Sequence, residues 1–483
     1  SRESEVSFSG GKTVFDNLDK SIFTPVPVFV DSLNQFILLD WEYIYKGTIR
    51  DFYPPVSYLP ESPNHFQVYL ESLLDLIENK QIDIEQLSNS VGKRINPNEF
   101  EKYFDFAFLA LHGAYGEDGS IQGLLDWYKI PYSGSNITAS GFGMDKALQK
   151  KLIANAGFES PNFRVFNKSE LLNSNLETLF NELKTQLGFP FVIKPANQGS
   201  SIGVSIIDSD DLNIFSQKID KAFFKIKWLK SVWDKMSQSQ KNDYLRELCD
   251  IREGIGMPVI VNEFTFYHPE KLLDFLNTCS QEFLYFETPD GESSIIFESF
   301  IKGKEFSCIV VQDLDGKPIA LPPTEIIKGK SFFDYKSKYL PGLSRKITPI
   351  NLEEIEINKI RKSVEQLFNL FNFNVYARID GFYSEDGKIF LNDPNTTSGM
   401  MPSSFFFHQA AEIGLNPSRF ISYIIYTSLA QKLKVNPQFF HYKKALELLE
   451  KSIDRSKRDI KDKKRIAVIL GGYSSERHIS VES

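Results

Sequence analysis

The run Phe106-Ala-Phe-Leu-Ala-Leu111 constrains the fold more than any other part of the chain, because it is apolar on both faces and ends in His112-Gly113. A strand without a polar face must be covered on both sides, the condition of strands in a parallel sheet packed between helices. Strand-like runs at Val26 to Val30 and Phe36 to Leu39 and a helical pattern at His65 to Glu78 alternate around it. Residues 1–143 therefore read as a parallel-sheet α/β domain. Polar groups after such a strand, here His112-Gly113 and the loop Ala114-Tyr-Gly-Glu-Asp-Gly119, stand where open α/β sheets bind ligands.

The chain has 483 residues, which at roughly 150 residues per domain suggests about three domains. Its 42% hydrophobic and 24% charged residues are ordinary for a globular protein and exclude a disordered, collagenous or disulfide-framework class. A net charge of -8 without a concentrated basic surface argues against a nucleic-acid partner. Cys249, Cys279 and Cys308 have neither metal-site nor disulfide-framework spacing. The longest apolar run, Phe420 to Ala430, is short of the ~18 residues a membrane helix needs, and the amino end does not resemble a signal peptide. A cytoplasmic location and no membrane partner are expected.

A second domain is expected over 144–302, with strands around Phe189 to Ile193 and Val204 to Ile207 and a mostly helical insertion at about 225–292. A third covers 303–431, with strand patterns at Glu305 to Val311 and Val375 to Tyr383 and a helix from Phe405 to Ile413. Residues 432–464 read as a solvated helical linker with (i, i+4) pairs such as Glu447 with Lys451. Beyond it, Ser474-Ser-Glu476-Arg-His-Ile479-Ser480 echoes Ser1-Arg-Glu3-Ser-Glu-Val6-Ser7, preceded by the strand-like run Arg465 to Leu470 and Gly471-Gly472. The echo suggests tandem modules, with the sequence a window cut from a longer chain; circular permutation is the rival account. The strand at 465–470 is a candidate to fill a gap in the first sheet.

Chemistry concentrates in a hairpin, Ala377-Arg378-Ile379-Asp380-Gly381, a turn at Ser384 to Gly387, and Lys388-Ile-Phe-Leu-Asn-Asp393-Pro-Asn395. By period-2 alternation Tyr376, Arg378 and Asp380 share one face and Val375, Ala377 and Ile379 the other. Counting from the turn puts Asp380 near Asp393, with Asn395 on the Asp393 face. Facing carboxylates at ~5 Å repel by ~3 kcal/mol at an effective dielectric of ~20. Either a hard divalent cation such as Mg²⁺ relieves this, or both carboxylates point into water.

Lys194-Pro-Ala-Asn-Gln-Gly199-Ser200-Ser201-Ile-Gly203 joins two strands and matches neither usual nucleotide-loop fingerprint. Its backbone N–H groups and hydroxyls can cradle a phosphate beside Lys194, or form an ordinary flexible hairpin tip. Phe297-Glu298 to Glu305, the Lys338-Tyr339 loop and the turn Ser398-Gly399 to Ser403-Ser404 are each unremarkable alone.

Taken in order, Glu3 with Val6-Ser7, His112-Gly113 with Gly116 to Gly119, Met144-Asp-Lys146, Lys194 with Gly199 to Ser201, Glu298, Glu305, Lys338-Tyr339, Arg378-Ile-Asp380, and Asn395 with Gly399-Met400 resemble the D-alanine:D-alanine ligases. The resemblance covers most of residues 1–430 and implies an ATP-grasp fold behind a Rossmann-like domain. It further implies that residues 465–483 begin a second ligase module.

The implied reaction joins two D-alanines through an acyl phosphate, for peptidoglycan precursor synthesis. The implied ATP set is Lys146, Lys194, Gly199, Ser201, Glu298 at the adenine, Glu305 at the ribose and Lys338. Asp380, Asp393 and Asn395 would hold two Mg²⁺ ions, with Mn²⁺ the alternative. Arg378 and the Gly399 N–H would stabilise the oxyanion, and Glu3, oriented by Ser200 and Tyr339, would bind the first ammonium. His112 would lie near the first D-alanine and Ser404 would take the second carboxylate. Tyr339 implies dipeptide rather than depsipeptide formation. The expected partners are D-alanine, ATP, the second module and, further, a homodimer.

Asp393 stands where the resemblance implies Glu, and Pro394 to Ser398 departs from the usual Asn-Thr-x-Pro. Two alternatives accompany the leading reading: an ATP-grasp amino-acid ligase of another specificity, and a noncatalytic ATP-binding module supporting a tandem partner.

Overall fold

Val28–Val30 (β1) and Phe36–Leu39 (β2) are separated only by residues 31–35, where the Asp31 carboxylate accepts the backbone N–H groups of Leu33 and Gln35, each at 2.9 Å. So short a link closes a hairpin, since a parallel crossover needs about a dozen residues or more. β1 and β2 pair antiparallel, and Gly92–Ile95 (β3) completes a three-stranded sheet. The expected parallel pairing is here one bridge, Ala107 with Tyr132, and the 106–111 run is extended and half-buried. The structure is a computed structural model, and it describes residues 2–199, 203–251, 254–289, 291–328, 344–458 and 467. Ser200, Ser201, Lys338, Tyr339 and the expected second-module start at 465–483, apart from Ala467, lie outside the described residues.

The expected helix at 65–78 is shorter. His65 has a φ of 53°, and only a 3₁₀ turn at Leu70–Leu73 and a helix at Leu74–Glu78 form. The segment before them is instead tied down by long-range bonds, because Glu270 accepts from Ser62 Oγ and from the Asn64 N–H.

The central part begins with Phe163–Asn167 (β4), Phe191–Pro195 (β5) and Ser205–Ile207 (β6). It is interrupted by Ile226–Leu229 (β7), Val259–Val261 (β8), Phe264–Phe266 (β9) and Phe283–Glu287 (β10), which make their own antiparallel sheet in the order β7-β10-β8-β9. The mostly helical insertion expected at 225–292 is thus corrected to an α+β unit, with helices Gln238–Cys249 and Pro269–Thr278. Alternation is the reason: in β10, Leu284 and Phe286 are buried against Trp233, Leu245 and Leu272, while Tyr285 points out. The central sheet resumes at Ser294–Ser299 (β11), in the order β4-β11-β5-β6.

The third sheet contains Gly303–Gln312 (β12), Pro318–Ala320 (β13), Thr324–Lys328 (β14), Ser344–Ile347 (β15), Tyr376–Ser384 (β16) and Ile389–Asn395 (β17). Its order is β15-β14-β12-β16-β17, with β13 beside β12. Both of its faces carry apolar residues. Phe306, Cys308, Val310, Ala377 and Ile379 pack under the Glu354–Leu370 helix, and Ile309, Val311 and Tyr376 under the Phe405–Glu412 and Pro417–Val435 helices. Val375 has a φ of 66° and joins Tyr376 in its cluster rather than Ala377 and Ile379 as expected. The expected solvated linker is partly core, because the Phe440–Arg458 helix buries Tyr442 and Leu449 in the same cluster.

Candidate active site

The hairpin register places Asp380 opposite Asp393 and Arg378 opposite Asn395, as the alternation predicts. Between Asp380 and Gly381 the register shifts, since Gly381 pairs with Leu391 and leaves Asn392 as the extra residue of a β-bulge. The bulge lets two successive side chains, Asn392 and Asp393, both meet lysines of the central part. Lys146 pairs with Asp393, while Asn392 Oδ1 accepts from Lys150 at 2.8 Å and from Lys194 at 3.4 Å.

Lys146 opens the Lys146–Asn155 helix, capped by the Asp145 carboxylate on the Leu148 N–H, and Lys150 lies one turn on. Lys194 on β5 pairs in register with Ile296, so Glu298, two residues along β11, shares its face. Glu298 meets Lys150 at 2.5 Å and Lys194 at 3.0 Å, and all three are buried. Burial alone would raise the Glu298 carboxyl, but the charges of Lys150 and Lys194 outweigh it and hold the group below its ordinary value. Burial pushes the Lys194 ammonium down, only partly offset by Glu298. Glu298 thus positions the lysines. Beside them Glu292, raised by burial, accepts from Gln198 at 2.9 Å and Asn197 at 3.3 Å and ties down the loop that leads to Gly199.

On the other side of the hairpin, Asp380 accepts from Ser307 Oγ at 2.6 Å and pairs with Arg378 at 3.1 Å. Glu305 stands two residues before Ser307 on β12, on the same strand face. Glu3 is the N-cap residue of the Ser4–Asn17 helix and is buried. A Cβ on Gly199 would run into its carboxylate and displace it, so the glycine leaves the Glu3 side chain where it stands. Ser7 Oγ donates to Glu3 O at 3.0 Å and accepts the His112 N–H at 2.9 Å, bringing His112 alongside. Burial lowers the His112 imidazolium, but Glu117, with Nδ1 to Oε1 at 3.5 Å, and Glu3 outweigh it and raise the group; Arg378 opposes them. Glu3, His112, Arg378 and Asp380 therefore form one neighbourhood. A cavity of about 1740 Å³ reaches Glu3, His112 and Gly199 and continues as an apolar cleft under the first helix.

Ser404 is the buried N-cap residue of the Phe405–Glu412 helix, and next to it Lys346 donates to Ser403 O at 2.7 Å. Burial, then the Arg378 charge, pushes Lys346 down. A Cβ on Gly399 would meet nothing within 4 Å, so the position is open on that side.

Sequence reasoning missed Lys150, Asn392, Glu292, Ser307 and Lys346. Lys150 had a signal, its (i, i+4) spacing from Lys146. The others depend on the bulge, on strand pairing or on loop placement, which no local pattern encodes.

Hard oxygen donors from Asp380, Asp393 and Asn395 fit Mg²⁺. Among the described residues no three His, Cys, Asp or Glu gather as a metal cluster, so further oxygen ligands, from water or phosphate, would complete such a site. Lys194 of one antiparallel sheet and Lys146 and Lys150 of the helix beside it, meeting Asn392 and Asp393 of another sheet, make this a ligase of the ATP-grasp class.

Two family models match the chain, the D-ala D-ala ligase N-terminus over residues 1–135 and the D-ala D-ala ligase C-terminus over 152–225 and 287–426. The chain belongs to the D-alanine–D-alanine ligase family. It is 30% identical over 315 residues to the D-alanine–D-alanine ligase of Pelotomaculum thermopropionicum, covering 65% of this chain and 77% of the relative. It is also 30% identical over 362 residues to that of Bacillus anthracis, covering 74% and 90%. The fold is shared with the solved D-alanine–D-alanine ligase of Coxiella burnetii, at a TM-score of 0.55 and 17% identity over 94% of this chain and 95% of that one. It is shared too with the Bacillus anthracis enzyme complexed with ATP, at a TM-score of 0.51 and 24% identity over 90% and 96%.

Proposed function

We propose that this chain joins two D-alanine molecules into D-alanyl-D-alanine with cleavage of ATP, as a step in peptidoglycan precursor synthesis in the cytoplasm. The observation that carries the reading is the register pairing of Asp380 with Asp393, set between Arg378 and the lysines 146, 150 and 194.

Lys146, Lys194 and the loop at Gly199 are assigned to the phosphates of ATP and Glu298 to the adenine, its carboxylate also holding Lys150 and Lys194. Glu305 is assigned to the ribose, and Ser201 and Lys338 to the phosphates. Mg²⁺ held by Asp380, Asp393 and Asn395 would supply positive charge to the β- and γ-phosphates. The carboxylate oxygen of the first D-alanine attacks the γ-phosphorus and ADP leaves, giving an acyl phosphate. The amine of the second then attacks the acyl carbon, and inorganic phosphate departs.

Glu3, oriented by Ser200 and Tyr339, would accept the first ammonium, His112 would lie near that substrate, and Ser404 would receive the second carboxylate. Arg378 and the Gly399 N–H are the donors for the oxyanion of the tetrahedral intermediate; fixed donors of this kind do not have to reorganise as charge develops. The echo at 474–480 supports a second ligase module as covalent partner.

Phosphate release measured with ATP, Mg²⁺ and single amino acids tests the reading. Release with D-alanine and not with L-alanine is expected; the reverse would overturn it.

A further inference from the structure

The residue before Glu3 is held by a part of the chain that the family models do not match. Arg2 donates through Nη1 to Ile251 O at 2.8 Å and Gly254 O at 2.9 Å, and through Nη2 to Ile255 O at 3.1 Å. Its guanidinium also lies 4.0 Å from the centroid of the Phe224 ring, which stands just before that part and is buried in its core. The three carbonyls follow the Gln238–Cys249 helix, within the 226–286 gap between the matched segments. A guanidinium caught in a fork of carbonyls and stacked on a ring is fixed in direction as well as position.

A second tie runs parallel to the first. Arg50 Nε lies 3.4 Å from Glu5 on the first helix, and Arg50 Nη1 lies 3.9 Å from Asp250 of the insertion. The first helix is thus pinned to the insertion on either side of Glu3. We propose that the insertion is a clamp on the amino end of the Ser4–Asn17 helix, and that Arg2 is a positioning residue that sets the Glu3 carboxylate for the ammonium of the first D-alanine. This rests on the assignment of Glu3 made above and extends it, because it gives the insertion a part in substrate recognition. Without the clamp the first turn of the helix frays, as unpinned helix ends do, and Glu3 loses its register against Gly199 and His112.

The test is steady-state kinetics of the full chain carrying Arg2→Ala, Glu3→Gln and both, with Phe224→Leu as a second route to the same loss. Arg2→Ala should raise KM for D-alanine on the order of tenfold, with KM for ATP and the melting temperature nearly unchanged. F224L should move the same constant in the same direction by less. The double variant should be no worse than E3Q, since both changes act through one carboxylate. Additive effects, an unchanged D-alanine KM, or equal losses in every constant together with melting temperature would each overturn the clamp. If E3Q itself leaves the D-alanine KM alone, the Glu3 assignment fails, whatever R2A does.

Discussion

Lys150 sits one turn from Lys146 on a helix whose buried face also carries Gln149 and Ile153, and its side chain is 1% exposed. A lysine so deep is tolerated only because Glu298 and Asn392 receive it. Lys150→Met keeps the bulk and removes the charge, leaving Glu298 with Lys194 alone. Breaking a buried pair in this way costs about 3 kcal/mol, which a urea midpoint would register. KM for ATP should rise with it, because Lys194 is then drawn more strongly to Glu298. A variant as stable as the parent would remove Glu298 from the account. Sequence pointed to Lys146, Lys194 and Glu298 individually; that two lysines share one carboxylate is a fact of β5 lying beside β11 and of the Lys146–Asn155 helix bringing Lys150 to the same group.

At the scale of the element, the β16–β17 hairpin was legible from composition, because polar and apolar residues alternate on either side of a glycine turn. Its bulge was not, although the bulge is what turns Asn392 and Asp393 to the same cleft. Gly381 marks it. A Cβ there would stand 2.6 Å from both Phe306 Cζ and Phe390 O, so β12 and β17 close over the position from two sides. Gly381→Ala should destabilise by roughly 1–3 kcal/mol through overpacking and shift the neighbouring Asp380. The Mg²⁺ concentration for half-maximal turnover should therefore rise. Unaltered Mg²⁺ dependence in a stable G381A protein would show that the bulge does not set the carboxylate.

Across the whole molecule, the central and third parts meet at the lysines and the hairpin, and the insertion ties the central part to the amino-terminal part. Glu270 accepts from Ser62 Oγ at 2.8 Å and from Asn64 N–H and Nδ2 at 2.9 and 2.7 Å, while Asn242 Nδ2 donates to Asn64 Oδ1 at 2.9 Å. Glu270→Ala should loosen this seam, with amide exchange over 62–66 faster by about tenfold, the equivalent of one or two lost bonds of ~1 kcal/mol each. Exchange in 303–312 should stay as it was. Slow exchange at 62–66 in E270A would mean that the seam is held by the packing of Phe66 in the insertion's core instead.

The sequence by itself determined the mixed fold class, the order of the site residues and the pairing of Asp380 with Asp393, because alternation and turn chemistry act between residues near in the chain. It misjudged the insertion, whose helix-rich composition hid four short strands, and the first sheet, where a tight Asp31 turn turned expected parallel strands into a hairpin. Only the tertiary structure decided which charge meets which. Those contacts join positions some two hundred residues apart, and their energy exists only once the sheets have packed and water has left the cleft.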